Sequence, residues 1–155
     1  FKQKRDGMNG NQFYCFKIRS MKINAVSDQI SASKNDTRIT KIGHLLRKTS
    51  LDELPQFFNV LIGDMSIVGP RPHMNIQTKK YISNIDNYLA RNLVKPGITG
   101  LAKVSGYRGE VKKNSDIVNR VRFDIFYIEN WSFLLDIKII LLTIFNMFKV
   151  QDNAY

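Results

Sequence analysis

Two adjacent carboxylates, Asp52 and Glu53, stand in the stretch Thr49-Ser50-Leu51-Asp52-Glu53-Leu54-Pro55-Gln56, and a guanidinium follows in the turn Gly69-Pro70-Arg71-Pro72. Pro70 and Pro72 each lock their own φ and restrict the residue before them, so Arg71 is presented from a rigid turn. Carboxylates beside fixed cations suit phosphate chemistry with a divalent metal. An ionised aspartate can attack phosphorus, and a neighbouring glutamate can hold a hard cation. Arg47 lies five residues before Asp52. It, Arg71 and Lys17 could converge on the pair in three dimensions, and arginine suits bidentate phosphate binding.

A structural explanation competes. Ser50 followed three residues later by Glu53 has the form of a capping box, opening a helix with Leu54, Phe57, Phe58 and Leu61 on its buried side. Acidic residues in a first turn also complement the helix dipole. On the functional reading, the same helix start lowers the pKa of Asp52 and gathers phosphate through free N–H groups. Spacing alone does not choose between them.

The elements that must position these groups are read from periodicity. Asn9-Gly10 favours a tight turn, so Phe13-Tyr14-Cys15-Phe16-Lys17-Ile18 is expected as one arm of a hairpin, with Lys17 and Arg19 on one face. Residues 23–36 read as a polar loop. A helix is expected over 37–48, with Ile39, Ile42, Leu45 and Leu46 inward, Asp36 or Thr37 as N-cap and His44 at the core edge. Gly63 suits the C-terminal cap of the helix after Asp52, and Ile67-Val68 a short extended piece before the proline turn. Ile82, Ile85 and Leu89 mark a helix within 76–93, and 98–104 a second extended segment. Asn114 or Ser115 could cap a helix with Ile117, Val121, Ile125 and Ile128 inward and Arg120 and Asp124 as a surface pair. The last helix, 133–150, is apolar around most of its circumference, which suits a membrane surface or partner helix better than the core of a small domain. The fold class expected is α+β: one helix-dominated domain over 1–155, with a small β-hairpin and an amphipathic, membrane-facing helical surface.

Bulk properties narrow the partners. With 155 residues and 43% hydrophobic content, one core is the default, and a net charge of +11 favours polyanions: nucleic acid, an anionic membrane face or phosphorylated substrates. Cys15 is the only cysteine, which leans toward a reducing compartment and removes a thiolate zinc cluster; His44 and His73 are too few for a transition-metal site. No secretory signal precedes the first strand, and an opening at Phe1 suggests a fragment of a longer chain. The apolar run 139–148 is about half of the roughly 20 residues that cross a bilayer.

The motifs are also familiar in order. Phe16-Lys17-Ile18-Arg19-Ser20-Met21, Thr37-Arg38-Ile39-Thr40-Lys41-Ile42-Gly43 and the Asp52-Glu53 stretch are followed by 59–72, Lys95-Pro96-Gly97-Ile98-Thr99-Gly100, 124–131 and Leu135-Asp136-Ile137-Lys138. On these the chain resembles the bacterial sugar transferase family, the monotopic polyprenyl-phosphate phosphoglycosyl transferases. Pro72-His73-Met74, Tyr107-Arg108-Gly109-Glu110, Trp131 and Ala154-Tyr155 look most like the undecaprenyl-phosphate glucose phosphotransferases. The resemblance implies transfer of a sugar 1-phosphate, glucose or galactose, from a UDP-sugar to undecaprenyl phosphate with release of UMP and with Mg²⁺. It implies the first membrane step of exopolysaccharide, capsule or O-antigen synthesis, at the cytoplasmic face of the bacterial cell membrane. It casts Asp52 as nucleophile, Glu53 with Asp52 as the metal-side dyad, and Lys17, Arg19, Arg47 and Arg71 as phosphate and nucleotide-sugar contacts, with Pro70 and Pro72 shaping the turn. It also implies a membrane-inserted helix upstream of Phe1. The rival expectations are a noncatalytic basic membrane-surface module and a nucleic-acid-binding module, although no nucleic-acid motif is present.

Overall fold

In the computed structural model of the chain, which describes residues 1–23, 32, 33, 36–109, 111 and 113–148, the Asn9-Gly10 reversal folds as expected. Both residues have positive φ, 56° and 77°. They join β1 (Lys2–Asp6) to β2 (Gln12–Phe16) in an antiparallel hairpin with Lys2 opposite Phe16. Lys17 extends the pairing by one residue, donating its N–H to the Phe1 carbonyl at 2.8 Å and accepting from the N-terminal ammonium at 3.0 Å, and its side chain reaches from this strand end toward Glu53. The loop expected over 23–36 lies mostly outside the described residues.

Helix α1 (Lys41–Thr49) begins later than periodicity suggests, because Ile39 pairs with Met21 in a short antiparallel bridge instead. The N-cap is Thr40, whose hydroxyl accepts from Gly43 N–H; Asp36 is spent on Arg38. Ile42, Leu45 and His44 are exposed, contrary to the expected buried stripe and core-edge histidine. The expected capping box does not form. Ser50 is the left-handed C-cap of α1 (φ 59°), and a 3₁₀ turn over Leu51–Glu53 leads through Pro55 into α2 (Gln56–Ile62).

The amphipathicity of α2 is inverted relative to expectation. Gln56 and Asn59 are buried, while Leu54, Phe57, Phe58, Leu61 and Ile62 are exposed, Leu61 by 82%. Asn59 explains the polar interior: its Oδ1 accepts from Phe16 N–H, and its Nδ2 donates to the Tyr14 carbonyl. One amide thus satisfies two backbone groups on the free edge of β2, an arrangement an apolar side chain cannot replace. Gly63 closes the helix at φ 96°, as expected.

Strand β3 (Ser66–Val68) enters the proline turn and pairs in parallel with β4 (Gly97–Thr99). The two approach so closely at Gly69 and Gly97 that a Cβ on Gly97 would lie 2.1 Å from Gly69 N. Between them run α3 (Asn75–Ile82) and a 3₁₀ segment, Tyr88–Leu93, rather than one helix. The second extended segment ends at Thr99 and is followed by the short helix α4 (Leu101–Val104).

Helix α5 (Asn114–Glu129) is the spine of the fold. Lys113 is its N-cap, with its N–H donated to Asp116. Ile117 and Val121 form one apolar cluster with Ile85 and Tyr88, and Tyr127 forms a second with Val68 and Ile139. Arg120 and Asp124 are buried inside, not paired on the surface. Helix α6 (Phe133–Phe148) docks through Ile139 and through a Thr99–Thr143 hydroxyl bond of 2.6 Å. Its Phe133, Leu134, Leu141 and Phe145 are exposed. The architecture is a helix-dominated α+β fold.

Candidate active site

The 3₁₀ turn, the strand end after β2, the proline turn and α4 converge on Glu53. Its Oε1 lies 3.6 Å from Lys17 Nζ and 3.0 Å from Arg71 Nη2, and its Oε2 lies 2.9 Å from Lys103 Nζ. Burial opposes the charge, yet Lys103, Arg71 and Lys17 together hold this carboxyl well below the usual range. Glu53 is an anchored anion.

Asp52 is equally buried, but its carboxylate bonds to no described residue; its backbone carbonyl accepts from Ile18 N–H at 2.9 Å. Burial, followed by the neighbouring Glu53 charge, raises its pKa despite Lys17, Arg47 and Arg71. The expected lowering by a helix N-terminus is not found, because Asp52 sits in a 3₁₀ turn rather than at the start of α2. A raised carboxylate is a stronger nucleophile once ionised than a stabilised one.

Both carboxylates line a cleft of about 400 Å³. Every phosphate-binding candidate from the sequence lines it too: Lys17, Arg19, Arg47 and Arg71, with Pro72 of the turn. They differ in rigidity. Arg71 is bonded to Glu53, whereas Arg19 is exposed and lies over the Phe1 ring, 5.0 Å from its centroid. Pro70 is buried behind the cleft. Three of the turn's carbonyls are held: Pro70 by Gly97 N–H (2.9 Å), Arg71 by Arg91 (2.8 Å) and Pro72 by Arg5 (3.3 Å).

Sequence reasoning missed several contributors. Lys103 sits in a segment expected to be extended; its only signal is one lysine inside the apolar run 98–104. Arg108 lines the cleft and donates to Ser50 Oγ at 2.6 Å and to the Arg47 carbonyl at 3.0 Å, clamping the hinge before Asp52. Arg91 carries the Arg71 turn while making two bonds, 2.7 and 3.1 Å, to Asp124 Oδ2. No local pattern announces a pair 33 positions apart.

His73 completes this layer. Its Nδ1 is 2.5 Å from Tyr88 Oη and 2.6 Å from Arg91 Nη1. Burial and the charges of Arg91, Arg120, Arg5 and Arg71 hold its pKa well below the ordinary value. The unfolded chain takes up a proton near pH ~6.5 that the folded chain refuses, so this stability is complete above that pH and falls below it, by up to about 1.4 kcal/mol per pH unit. The melting temperature is therefore expected to drop between about pH 6.5 and 5 more steeply in wild type than in His73→Gln. Equal slopes would remove His73 from this role.

What this arrangement can do is hold a diphosphate among lysines and arginines while presenting one unbonded carboxylate to it. Among the described residues no group of three metal-ligating side chains occurs, so a hard cation would find Asp52 and Glu53 and draw its remaining ligands from substrate.

A cleft of lysines and arginines around two carboxylates is the class of site that accepts phosphorylated ligands, and the chain belongs to the bacterial sugar transferase family, whose profile matches residues 1–150. It is similar to the UDP-glucose:undecaprenyl-phosphate glucose-1-phosphate transferases of Klebsiella pneumoniae (51% identical over 100% of this chain and 33% of that protein) and Escherichia coli K12 (50%, 100% and 33%). It is also similar to the undecaprenyl-phosphate galactose phosphotransferase of Salmonella typhimurium, at 42% identity over 97% of this chain and 33% of that protein. The chain thus spans about a third of the length of these curated relatives.

Proposed function

We propose that this chain transfers a sugar 1-phosphate from a UDP-sugar to undecaprenyl phosphate, releasing UMP, through a covalent phosphosugar on Asp52. The observation that carries the reading is the unequal state of the two carboxylates. The Glu53 carboxylate is bonded to Lys17, Arg71 and Lys103, while the Asp52 carboxylate is bonded to none of the described residues and opens on the cleft. An Asp52 oxygen attacks the sugar-bearing phosphorus; the bond from that phosphorus to the UMP oxygen breaks, and UMP leaves with the electron pair. A phosphate oxygen of the lipid then attacks the same phosphorus, and the aspartyl–phosphorus bond breaks to regenerate Asp52. Lys17, Arg47, Arg71 and Arg108 orient the phosphates and neutralise their charge, which is most of what phosphoryl transfer asks of a protein. The relatives' names support glucose as the sugar, with galactose second because relatives so named are less similar.

Mg²⁺ belongs to this proposal. The Asp52 carboxylate, bonded to none of the described residues, opens on the cleft. Glu53 stands beside it with Lys17, Arg71 and Lys103 on its oxygens, and one of these cations would yield its place to the ion. Asp52 and Glu53 would hold the ion. When bound, it supplies Lewis-acid polarisation and charge neutralisation at the phosphate oxygens.

The location we assign is the cytoplasmic face of the bacterial cell membrane, at the first membrane step of exopolysaccharide, capsule or O-antigen synthesis. No helix among the described residues is long and apolar enough to cross a bilayer. The exposed Phe57, Phe58, Leu61, Leu141 and Phe145, with the +11 charge, suit the interface of an anionic leaflet. Phe58→Glu with Leu61→Glu is expected to weaken binding to anionic vesicles by roughly tenfold or more without lowering the melting temperature. Unchanged binding would contradict the assignment of this face. For the chemistry, intact mass after incubation with UDP-glucose, UDP-galactose and Mg²⁺ should gain one phosphosugar; no gain with any UDP-sugar in active membranes would rule out the covalent route.

A further inference from the structure

Arg120 is an anomaly in the wall of the cleft. It is only 7% exposed, yet no carboxylate among the described residues lies within ion-pair distance of it. Asp124, one helical turn on, is spent on Arg91. The single bond that Arg120 makes among the described residues runs from Nη2 to the Gly109 carbonyl, at 3.2 Å, and its Nε has no acceptor. Burial, with the charges of Arg71 and Arg91, pushes its pKa down to about 10 against the attraction of Asp124. A buried cation without a partner is costly, and native proteins seldom keep one without use.

A second orphan donor accompanies it. A guanidinium can only donate, so the 2.6 Å contact from Arg91 Nη1 makes His73 Nδ1 an acceptor and puts the ring proton on Nε2. That Nε2 is also without a partner. Both residues line the same cleft as Asp52.

We propose that Arg120 and His73 form a further anion subsite on the α5 side of the cleft, which receives a phosphate oxygen of the reacting substrates. The inference rests on the phosphosugar-transfer reading for its ligand. Two sources share this chemistry: the phosphate that leaves with UMP, and the phosphate of the incoming lipid. The subsite separates Arg120 from a merely structural arginine, such as Arg91, whose donors are matched to carboxylate, carbonyl and imidazole acceptors.

The test uses the full-length protein as wild type, Arg120→Lys and Arg120→Met. Formation of the phosphosugar adduct from UDP-glucose without lipid reads the first source. Chase of the preformed adduct with undecaprenyl phosphate reads the second. In Arg120→Met one of these steps is expected to slow by roughly tenfold or more at subsaturating substrate, with Arg120→Lys in between. The melting temperature without ligand should not fall, because the deleted charge has no carboxylate partner among the described residues and one 3.2 Å bond to a carbonyl is a small loss against its burial. The stabilisation that inorganic pyrophosphate gives wild type should shrink. The subsite is overturned if both steps stay within about twofold of wild type, or if Arg120→Met melts lower while its pyrophosphate response persists. Should wild type form no adduct at all, the transfer reading fails, and the pyrophosphate response still decides the subsite.

Discussion

Asp52→Asn in the full-length protein is expected to lose turnover by on the order of 10⁴-fold or more, with no phosphosugar adduct at any donor concentration. The substitution keeps volume and removes the attacking oxygen's charge. Glu53 cannot take over, since Lys17 and Arg71 hold Oε1 and Lys103 holds Oε2. Folding should be spared, because the Asp52 carboxylate makes no bond to a described residue, and relief from the Glu53 charge offsets the change. Glu53→Gln is expected to differ in kind: Lys17, Arg71 and Lys103 lose a common buried partner, so stability falls along with activity. The acid limb follows with a definite sign. Attack requires ionised Asp52, whose pKa is raised by burial, so adduct formation should fall as pH drops through a value above the ordinary ~3.9. Full turnover by Asp52→Asn, or an adduct mapped to another residue, would sink the nucleophile assignment.

How far the sequence leads depends on which interactions are local. The Asn9-Gly10 hairpin, the Gly63 cap and the rigid Arg71 turn follow from backbone preferences of single residues, and all appear in the fold. The ordered motifs single out the carboxylate pair, while its local geometry does not follow from spacing. Ser50 caps the preceding helix instead of opening the next, so Glu53 is free to gather cations. Helix α2 was legible as amphipathic with the wrong sign. Periodicity locates an apolar face, and only the assumption of water as surrounding solvent turns that face inward. Asn59, tied to Phe16 and Tyr14 of β2, reverses it. Helix α6 is too apolar around its surface to hide in so small a core, and among its described side chains only Ile139 is fully buried. The buried cations behind the cleft were illegible for a simple reason. Arg91, Lys103 and Arg120 become meaningful only when segments distant in sequence meet, and a lone arginine on a helix looks the same whether it faces solvent or a carboxylate.

Asp124→Asn is expected to destabilise the fold by about 3–5 kcal/mol, because it strips the counterion from a buried arginine beside another that has none among the described residues. For a domain whose total stability is of order 5–15 kcal/mol, this is a large fraction, and the melting temperature should fall by roughly 6–20 °C. Arg91→Met leaves the opposite charge buried and also drops the bond to the Arg71 carbonyl, so two functions are lost together. The double variant Arg91→Met with Asp124→Leu pulls them apart. Replacing both ions with apolar side chains of similar size removes the desolvation cost along with the attraction, so much of the stability should return. Activity should not return with it. Without Arg91 the Arg71 carbonyl has no donor from that side, and the guanidinium that meets Glu53 at 3.0 Å loses the support of its turn. The expected signature is a near-normal melting temperature with a raised KM for the nucleotide-sugar and a reduced rate of adduct formation. If the double variant recovers both, the pair serves stability alone, and the Arg71 turn is rigid enough from Pro70 and Pro72 without it.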